Sequence, residues 1–317
     1  MLKQKVVINV CTCKRPKMLM ACIESILKQS ISDEWSVELQ IVDNDPDSTL
    51  YEDLSKFIQT GTAIIIHYAH EKTVGIPYAR NTACKLSLEH GADWIIFIDD
   101  DEMAEPNWLI AYYQATKQYD AEAYSGPVKY DFPDDYAEWL GNKGDLDTKD
   151  GTIKKRASTN NALIHSKLVS QSGYGLQFDT RMTFTGGSDT DFFMRFVKMG
   201  GKIVHVSQAL VAEKVTANRL KISWRLKRQY RSSTNRVYIN KKLLGINKAI
   251  FMAIKESIRH LVEGCLSLLI CWIYIVKGKN SFKRQYYHSL RHLAKGFGNF
   301  SGIFGIQPQP YKSIDGQ

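Results

Sequence analysis

Four acidic residues follow one another in this chain, at Asp99, Asp100, Asp101 and Glu102. They come directly after the apolar run at 94–98, which is typical of a buried parallel strand. Open α/β sheets bind their ligands at the carboxyl ends of such strands. Because adjacent carboxylates repel one another, we expect a divalent cation among them, Mg²⁺ or Mn²⁺, both of which prefer hard oxygen ligands. The alternative is a solvated acidic turn that caps a helix beginning near Pro106.

The elements that must position these acids alternate between strand and helix. The predicted strands are 5–11, 37–42, 63–68 and 94–98, and the predicted helices between them are 16–29, 49–59 and 77–90. This order predicts an α/β fold with a mostly parallel, doubly wound sheet flanked by helices. The chain has no G-x-G-x-x-G and no G-x-x-x-x-G-K-[ST] motif, so neither a dinucleotide enzyme nor a P-loop NTPase is indicated.

The predicted elements become less regular after the acids. We predict helices at 106–118 and 189–199, strands at 121–130, 159–165 and 202–206, and a basic helix or helix pair at 218–244. Residues 131–157 are polar and form a predicted long loop, which in a compact domain is usually functional or disordered.

Charge is unevenly distributed along the 317 residues. Residues 213–317 carry 20 lysines and arginines against 4 aspartates and glutamates, whereas residues 1–212 carry 22 against 29. A basic final third indicates an anionic partner such as phospholipid, a phosphate-bearing substrate or nucleic acid. The six cysteines form no pair of C-x-x-C motifs, so a zinc site is not expected, and their apolar surroundings fit a reducing compartment.

Several motifs resemble those of inverting family 2 glycosyltransferases, in the same order and over residues 5–235. The matching segments are Thr12-Cys13-Lys14-Arg15-Pro16 (T-x-N-R-P), Gly75 with Ala79-Arg80-Asn81 (G-x-x-x-A-R-N), Asp99-Asp100-Asp101 (D-x-D) and Gly186-Gly187-Ser188-Asp189-Thr190-Asp191-Phe192 (G-G-E-D-x-D-F). Glu213-Lys214-Val215, followed by Arg219, resembles exopolysaccharide glucosyltransferases of the succinoglycan type.

The resemblance implies a GT-A fold, a nucleotide-sugar donor and inversion at the anomeric carbon. It implies a catalytic domain at 1–215, with a nucleotide-binding half at about 1–105 and an acceptor half at about 106–215. Residues 216–317 would then form a basic helical region that associates with the membrane.

Glycosyl transfer requires neutralisation of the diphosphate leaving group and a base for the acceptor hydroxyl. We expect Asp101 to ligate the metal, together with Asp99, which could instead contact ribose. Asp100 and Glu102 are supporting candidates. Asp189 is the expected base, although an aspartate at this position could equally cap the helix that follows it.

The remaining candidates would bind the two substrates. For the donor nucleotide they are Thr12, Arg15, Asp43, Arg80, Asp99 and Asp100. Asp43 could accept the uracil N3–H or serve only in a turn, and Arg80 could contact the pyrophosphate or be an exposed helix arginine. For the sugar and the acceptor they are Gly186, Gly187, Asp191 and Asn160. His205 is either a third metal ligand or a core histidine.

The chain departs from the family pattern in two places. Ser188 replaces the usual glutamate before Asp189. Residues Gln229-Tyr230-Arg231 do not complete the Q-x-x-R-W motif of processive synthases, which favours addition of a single sugar.

The C-terminal third also predicts where the protein acts. Residues 219–236 are basic with interspersed aromatics, and 250–276 add an apolar face, as in helices that lie on anionic membranes. The apolar run at 264–276 is shorter than the roughly 20 residues that span a bilayer, and we recognise no signal peptide. We therefore expect a cytoplasmic protein, peripheral on the inner membrane. The family resemblance implies a polyprenyl-diphosphate-linked saccharide as acceptor. Core helices with a solvated face are the alternative.

The leading prediction is a metal-dependent hexosyltransferase that transfers one sugar, glucose from UDP-glucose being the expected donor, in exopolysaccharide or capsule biosynthesis. A sugar-phosphate nucleotidyltransferase is a second possibility, but it would need a glycine-rich first loop. A nucleic-acid-binding protein is a third possibility, against which the acidic first two-thirds argue.

Overall fold

The computed structural model describes residues 3–58, 64–133, 136 and 144–310. Its internal contacts divide the chain into two compact units. Of the described residues, 3–131 and 144–214 form the first unit, and 132–133, 136 and 215–310 form the second. Each unit is described here by itself.

The first unit contains a large sheet whose strand order is β3-β2-β1-β4-β9-β6-β10-β8. Its strands are β1 (Gln4–Thr12), β2 (Trp35–Asp43), β3 (Ile65–His70), β4 (Trp94–Asp99), β6 (Ala123–Ser125), β8 (Ile153–Lys154), β9 (Asn161–His165) and β10 (Ile203–His205). A smaller sheet joins β5 (Glu102–Ala104), β11 (Val211–Lys214) and β7 (Val128–Asp131).

Helices cover both faces of the large sheet. They are α1 (Pro16–Leu27), α2 (Leu50–Ile58), α3 (Ile76–Glu89), α4 (Trp108–Gln118) and α5 (Ser188–Lys198). Side chains of α1, α2 and α4 share one apolar core with the sheet, and those of α3 and α5 share the other. The predicted α/β fold with a mainly parallel central sheet is confirmed.

The parallel register brings the predicted site residues to one edge of the sheet. In the pairing of β1 with β2, Thr12 lies opposite Asp43, and in the pairing of β1 with β4, Cys11 lies opposite Asp99. The interior of β4 is buried on both faces, which explains its continuous apolar run. The carboxyl ends of these three strands therefore present the polar residues that follow them.

β9 runs antiparallel to both β4 and β6 within the mainly parallel sheet, and the sequence predicted no direction for it. Two expectations about the second half of this unit were wrong. The predicted strand at 121–130 is two strands, β6 and β7, which enter different sheets on either side of Gly126 and Pro127. The predicted loop at 131–157 includes β8, while its residues 134–135 and 137–143 lie outside the described residues.

The second unit is helical. Its helices are α6 (Ala217–Leu220), α7 (Ile222–Leu244), α8 (Ile246–Ile270) and α9 (Lys279–Ile303). A helical region was expected at 216–317, but no separate helix was predicted at the position of α9. Small residues let α8 and α9 approach closely. A Cβ on Gly264 would lie 2.7 Å from a methyl group of Leu293, and one on Gly296 would lie 2.7 Å from Cγ of Leu261.

One segment of the second unit, Ile246–Ile275, is long and apolar enough to cross a membrane by length and composition. It extends α8 by a 3-10 turn, and the mean hydropathy of an 18-residue window within it is 1.5. The sequence-based expectation of a run too short to span therefore underestimated this segment. A single segment of this kind does not by itself distinguish a spanning helix from a surface helix.

Candidate active site

The acidic residues lie where β4 ends and the chain turns into β5. Asp100 and Glu102 are buried, while Asp99 and Asp101 are partly exposed. The turn between two strands directs the four side chains differently, so they contact different partners. They form a carboxylate cluster, which we call the acidic cluster, and not a simple solvated turn before a helix. The next helix, α4, begins only at Trp108, with Asn107 as its N-cap.

Residues of the T-x-N-R-P-like segment contact the acidic cluster directly. Thr12 donates a 2.7 Å hydrogen bond from Oγ1 to Oδ2 of Asp100. One guanidinium nitrogen of Arg15 lies 3.2 Å from Oδ1 of Asp100 and 3.4 Å from Oδ2 of Asp101. Burial raises the pKa of Asp100 to about 6, although Arg15 and Thr12 act in the opposite direction. Thr12 and Arg15 thus hold Asp100 in place, and Asp101 is the more open carboxylate.

Arg80 connects the acidic cluster to the start of α5. Its guanidinium lies 3.7 Å from Oδ1 of Asp99 and donates to Oγ of Ser188 over 3.4 Å. The side chain of Arg80 is only 12% exposed, so it is not the exposed helix arginine that the alternative interpretation assumed. A glutamate at position 188 would compete with Asp99 for an ion pair with Arg80. Ser188 carries no charge, so the positive charge of Arg80 is directed at Asp99.

Burial and neighbouring carboxylates raise the pKa values of Asp99 and Glu102. The pKa of Asp99 is raised, first by desolvation in the cleft and then by Asp101, Asp100 and Asp189, while Arg80 opposes the shift. The pKa of Glu102 is raised well above its ordinary value by burial and by Asp99. An added cation would relieve this repulsion.

The donor set fits the hard cation that the sequence predicted. The described residues include two compact groups of three metal-ligating atoms, and neither of them contains a residue of the acidic cluster. Mg²⁺, however, usually binds through only one or two carboxylates, with substrate phosphates and water supplying the other ligands. Asp99 and Asp101, both carboxylates with partial exposure, meet that requirement.

Asp43 lies at the end of β2 and lines a cleft of about 140 Å³. Its Oδ2 accepts a hydrogen bond from the Tyr68 hydroxyl at 3.2 Å, and its Oδ1 accepts one from the backbone N–H of Asp45 at 3.0 Å. Arg15 lines the same cleft. The ring of Tyr51 lies 5.3 Å from that of Tyr68. A carboxylate beside aromatic rings and an arginine could bind a pyrimidine nucleotide.

Asp189 lies in the first turn of α5, but it is not the N-cap. Gly187 occupies the N-cap position with φ of 86°, and Gly186 before it has φ of 69°. These left-handed conformations are readily available only to glycine. Ser158 donates a 2.7 Å hydrogen bond to Oδ2 of Asp189, and the backbone N–H of Thr190 donates one to Oδ1. The capping alternative for Asp189 is therefore wrong, which leaves the carboxylate available for chemistry.

Asp191 faces the interior of the unit. It is fully buried, and its Oδ2 accepts a 2.8 Å hydrogen bond from Nε of Arg195 one turn later. Arg195 also donates to the backbone carbonyl of Gln177. This arrangement makes Asp191 a positioning residue for the start of α5, and it places no exposed carboxylate where a sugar could contact it.

Asn160 contacts the acidic cluster. Its amide donates a 2.8 Å hydrogen bond to Oε1 of Glu102. The adjacent Asn161 points instead into the core, where its Oδ1 accepts from Trp108 at 2.9 Å and from Tyr112 at 2.7 Å. Asn160 and Ser158 thus extend from one short segment before β9 toward Glu102 and Asp189.

His205 lies on β10 and is fully buried. Neither of its ring nitrogens has a hydrogen-bond partner among the described residues. Burial, followed by Lys154, lowers its pKa. His205 belongs to neither compact three-ligand group, and its burial agrees with a core histidine.

Sequence reasoning missed two residues that contact the predicted site. Tyr68 and Ser158 lie outside all motifs, and they donate hydrogen bonds to Asp43 and Asp189 respectively. Tyr68 lies two residues before the end of β3. This position could have indicated its role, because the site lies at the strand ends of this sheet. Ser158 gave no comparable signal, because nothing in its surroundings predicts a contact with a helix thirty-one residues later.

With this geometry established, comparison with known proteins identifies the family. The model of the glycosyl transferase family 2 matches residues 7–180, more than half of the chain. The chain belongs to glycosyl transferase family 2. This membership selects glycosyl transfer over the nucleotidyltransferase and nucleic-acid-binding alternatives.

A characterised relative extends the match into the second unit. The chain is 29% identical over 248 residues to the succinoglycan biosynthesis protein ExoM of Rhizobium meliloti (strain 1021). The alignment covers 76% of this chain and 77% of ExoM. This family 2 glycosyltransferase is therefore similar over most of its length to a protein of succinoglycan biosynthesis.

Solved structures of S. aureus TarS share the fold. TarS 1-349 in complex with UDP-GlcNAc superimposes with a TM-score of 0.56 at 13% identity, over 93% of this chain and 91% of that one. The longer TarS chain gives a TM-score of 0.52, and the match spans only 39% of it. These similarities confirm the GT-A fold of the family 2 chain.

Proposed function

We propose that this family 2 glycosyltransferase is an inverting, metal-dependent hexosyltransferase. It transfers a single sugar from a UDP-sugar, with UDP-glucose as the expected donor, to a polyprenyl-diphosphate-linked saccharide during exopolysaccharide or capsule biosynthesis. The observation that carries the proposal is the position of Arg80, whose guanidinium lies 3.7 Å from Oδ1 of Asp99 and 3.4 Å from Oγ of Ser188, the residue before the candidate base Asp189.

The nucleotide would bind along the carboxyl ends of β1 and β2. Asp43 would accept the N3–H of uracil, a hydrogen bond that selects a pyrimidine. Its second oxygen is already oriented by the backbone of Asp45. TarS was solved with UDP-GlcNAc and with UDP, which supports a uridine nucleotide as the donor here as well.

The diphosphate would lie between Arg80 and the acidic cluster. Arg80 would donate charge-assisted hydrogen bonds to the phosphate oxygens, and Asp99 and Asp101 would hold the metal. A bound Mn²⁺ or Mg²⁺ would supply a positive charge that stabilises the leaving diphosphate. Thr12 and Arg15 keep Asp100 in position beneath these ligands.

Asp189 would act on the acceptor. Its carboxylate would accept the proton of the acceptor hydroxyl while the hydroxyl oxygen forms a bond to the anomeric carbon of the donor. The bond from that carbon to the phosphate oxygen breaks on the opposite side, UDP leaves with the bonding electron pair, and the anomeric configuration inverts. Ser158 holds Asp189 in one orientation for this step.

The second unit would bring the enzyme to its lipid-linked acceptor. One face of α8 is both exposed and apolar at helical spacing, and it carries Phe251, Ile258, Val262, Leu266 and Leu269. The unit is also basic, which complements anionic lipid. We propose a peripheral attachment to the cytoplasmic face of the inner membrane. The relationship to a succinoglycan biosynthesis protein supports a membrane-bound saccharide acceptor.

Calorimetric titration of UDP with and without Mn²⁺ tests the donor site. We expect binding that depends on metal in the wild type and is lost in Asp101→Asn. Asp120→Asn is a matched control, because Asp120 is fully exposed on the surface of the same unit. Equal binding to wild type and Asp101→Asn would refute the metal assignment, and preference for GDP would refute the role of Asp43.

A transfer assay with labelled UDP-sugars and membrane extracts tests the reaction. Label should move into a lipid-extractable product, and Asp189→Asn should reduce the rate by about 10²–10⁴-fold, the range for loss of a general base. Washing membranes with high salt or alkaline carbonate should release a peripheral protein. Retention until detergent is added would instead indicate that Ile246–Ile275 spans the bilayer.

A further inference from the structure

Three metal-ligating side chains meet in the second unit, away from the active site. His260 and Glu263 lie on α8, three residues apart and so on the same face, and His292 lies opposite them on α9. Nδ1 of His292 is 2.8 Å from Oε2 of Glu263, and Nδ1 of His260 is 3.5 Å from the same oxygen. The two Nδ1 atoms are 3.3 Å apart.

These separations match the ligand spacing of a zinc ion. Zinc binds nitrogen and oxygen ligands at about 2.0–2.2 Å in tetrahedral geometry, which places two ligands about 3.3–3.6 Å apart. Two of the three observed separations lie in this range, and the third is shorter. Two histidines and one glutamate are also a ligand set that zinc enzymes use. Metal sites in helical bundles are known to use a carboxylate and a histidine three residues apart on one helix, with further ligands on a facing helix.

Hydrogen bonding alone does not satisfy the group. Nδ1 of His292 can donate its proton to Glu263. If Nδ1 of His260 also carried a proton, the two N–H groups would face each other with their nitrogens 3.3 Å apart. A neutral ring with its proton on Nε2 directs a lone pair from Nδ1 toward the other two ligands.

The surroundings contain both supporting and opposing charges. Oε2 of Glu256 lies 3.8 Å from Nε2 of His260, where it could accept the proton of that nitrogen and orient the ring. Arg259 approaches the same nitrogen at 3.4 Å, but it is held by ion pairs with Glu256 and Glu263. The ring of His288 lies 4.6 Å from that of His292, one turn away on α9, and is a candidate fourth ligand.

We propose that His260, Glu263 and His292 form a zinc site that ties α8 to α9. The expectation against zinc rested only on cysteine spacing, and this site uses none. The second three-ligand group, Glu38, His67 and His90, is less suitable. Its two histidine rings stack with centroids 4.1 Å apart, and Lys5 already pairs with Glu38 at 2.8 Å.

The proposal is tested by zinc titration of the full chain after removal of metals with a chelator. The wild type should take up one Zn²⁺ at this site, and Co²⁺ in its place should give the strong visible absorption of tetrahedral coordination. Loss of a supporting hydrogen bond alone weakens metal binding by about 10–100-fold. We therefore expect at least about 100-fold weaker zinc binding in His292→Asn and in Glu263→Gln.

Two variants locate the ion. His67→Asn removes the other three-ligand group, and Asp101→Asn removes a carboxylate of the acidic cluster. Both should retain the tight zinc site. If His292→Asn fails to fold, as judged by circular dichroism, X-ray absorption of zinc-loaded wild type must still show two imidazole ligands. The proposal is overturned if the wild type takes up no zinc, if both ligand variants bind it normally, or if His67→Asn abolishes binding.

Discussion

Ser158 and Asp189 are joined by a 2.7 Å hydrogen bond from Oγ of the serine to Oδ2 of the aspartate. The other carboxylate oxygen, Oδ1, accepts the backbone N–H of Thr190 at 2.7 Å. Oδ1 also accepts the hydroxyl of Thr190 at 3.4 Å. Both oxygens are therefore oriented, and the remaining lone pair of Oδ2 is available to an acceptor hydroxyl. A carboxylate held in this way does not need to reorganise when the proton is transferred.

Ser158→Ala is expected to lower kcat more than it changes KM for the donor. A hydrogen bond to a charged group contributes about 1.5–3 kcal/mol, and part of that loss should appear as a fall in kcat of about 10-fold. Steady-state kinetics with the labelled donor measures the effect. Ser172→Ala is the control, because Ser172 is exposed and its hydrogen bonds among the described residues are to Ser170. A variant with unchanged kcat would show that Ser158 does not orient the base.

Arg80→Gln is expected to weaken binding of UDP and of the UDP-sugar by about 10-fold or more, since it removes a charge-assisted donor to the diphosphate. Titration of UDP in the presence of Mn²⁺ measures the loss. Lys85→Gln on the same helix is the matched control, because Lys85 is exposed and forms a surface ion pair with Glu89. If both substitutions weaken UDP equally, the effect is a general loss of positive charge and not a contact of Arg80.

Adjacent asparagines should give opposite phenotypes. Asn161→Ala leaves the buried groups of Trp108 and Tyr112 without their shared acceptor, so we expect a loss of about 2–4 kcal/mol in the free energy of unfolding. Asn160→Ala should unfold like wild type but lose activity, because it removes the amide that contacts Glu102. Denaturant unfolding and the transfer assay, applied to both variants, check the contrast. Equal destabilisation by the two substitutions would contradict it.

His205→Phe should change the pH dependence of stability. The ordinary histidine pKa is about 6.5, and burial lowers that of His205 in the folded protein. Below about pH 6.5 the unfolded chain therefore binds a proton that the folded chain resists, and stability falls with pH. The phenylalanine variant lacks this loss, so its Tm relative to wild type should rise between about pH 7.5 and about pH 5. Parallel Tm curves would mean that His205 takes up its proton without cost.

The first half of the fold could be predicted from the sequence because its signals are local. Each predicted strand and helix up to Asp99 is confirmed with bounds that differ by a few residues. The order and direction of the later strands in the sheet could not be predicted. β9 has the composition of any buried strand, and its antiparallel direction depends on pairing with residues distant in the sequence. No bounds were predicted for α9 because glycines within it, Gly296 against α8 and Gly298 and Gly302 against α7, weaken the helical signal in its sequence.

The site could be predicted only where motifs lie at strand ends. The sheet register brings Thr12, Asp43 and Asp99 to the same edge, as a parallel sheet requires. The burial of Asp191 was not predictable, because its partner Arg195 resembles any surface arginine in the sequence. The roles of these residues in transfer remain predictions to be measured.

The short segment from Ser158 to Asn161 has a consequence for altering this enzyme. Within four residues it contacts the candidate base, the acidic cluster and the core. Thr159 and Asn160 form a turn before β9, so insertion or deletion of one residue would change which side chain faces each of these three sites. Libraries that aim to broaden donor or acceptor choice should therefore randomise residue identity here at constant length, and should place length variation in other loops.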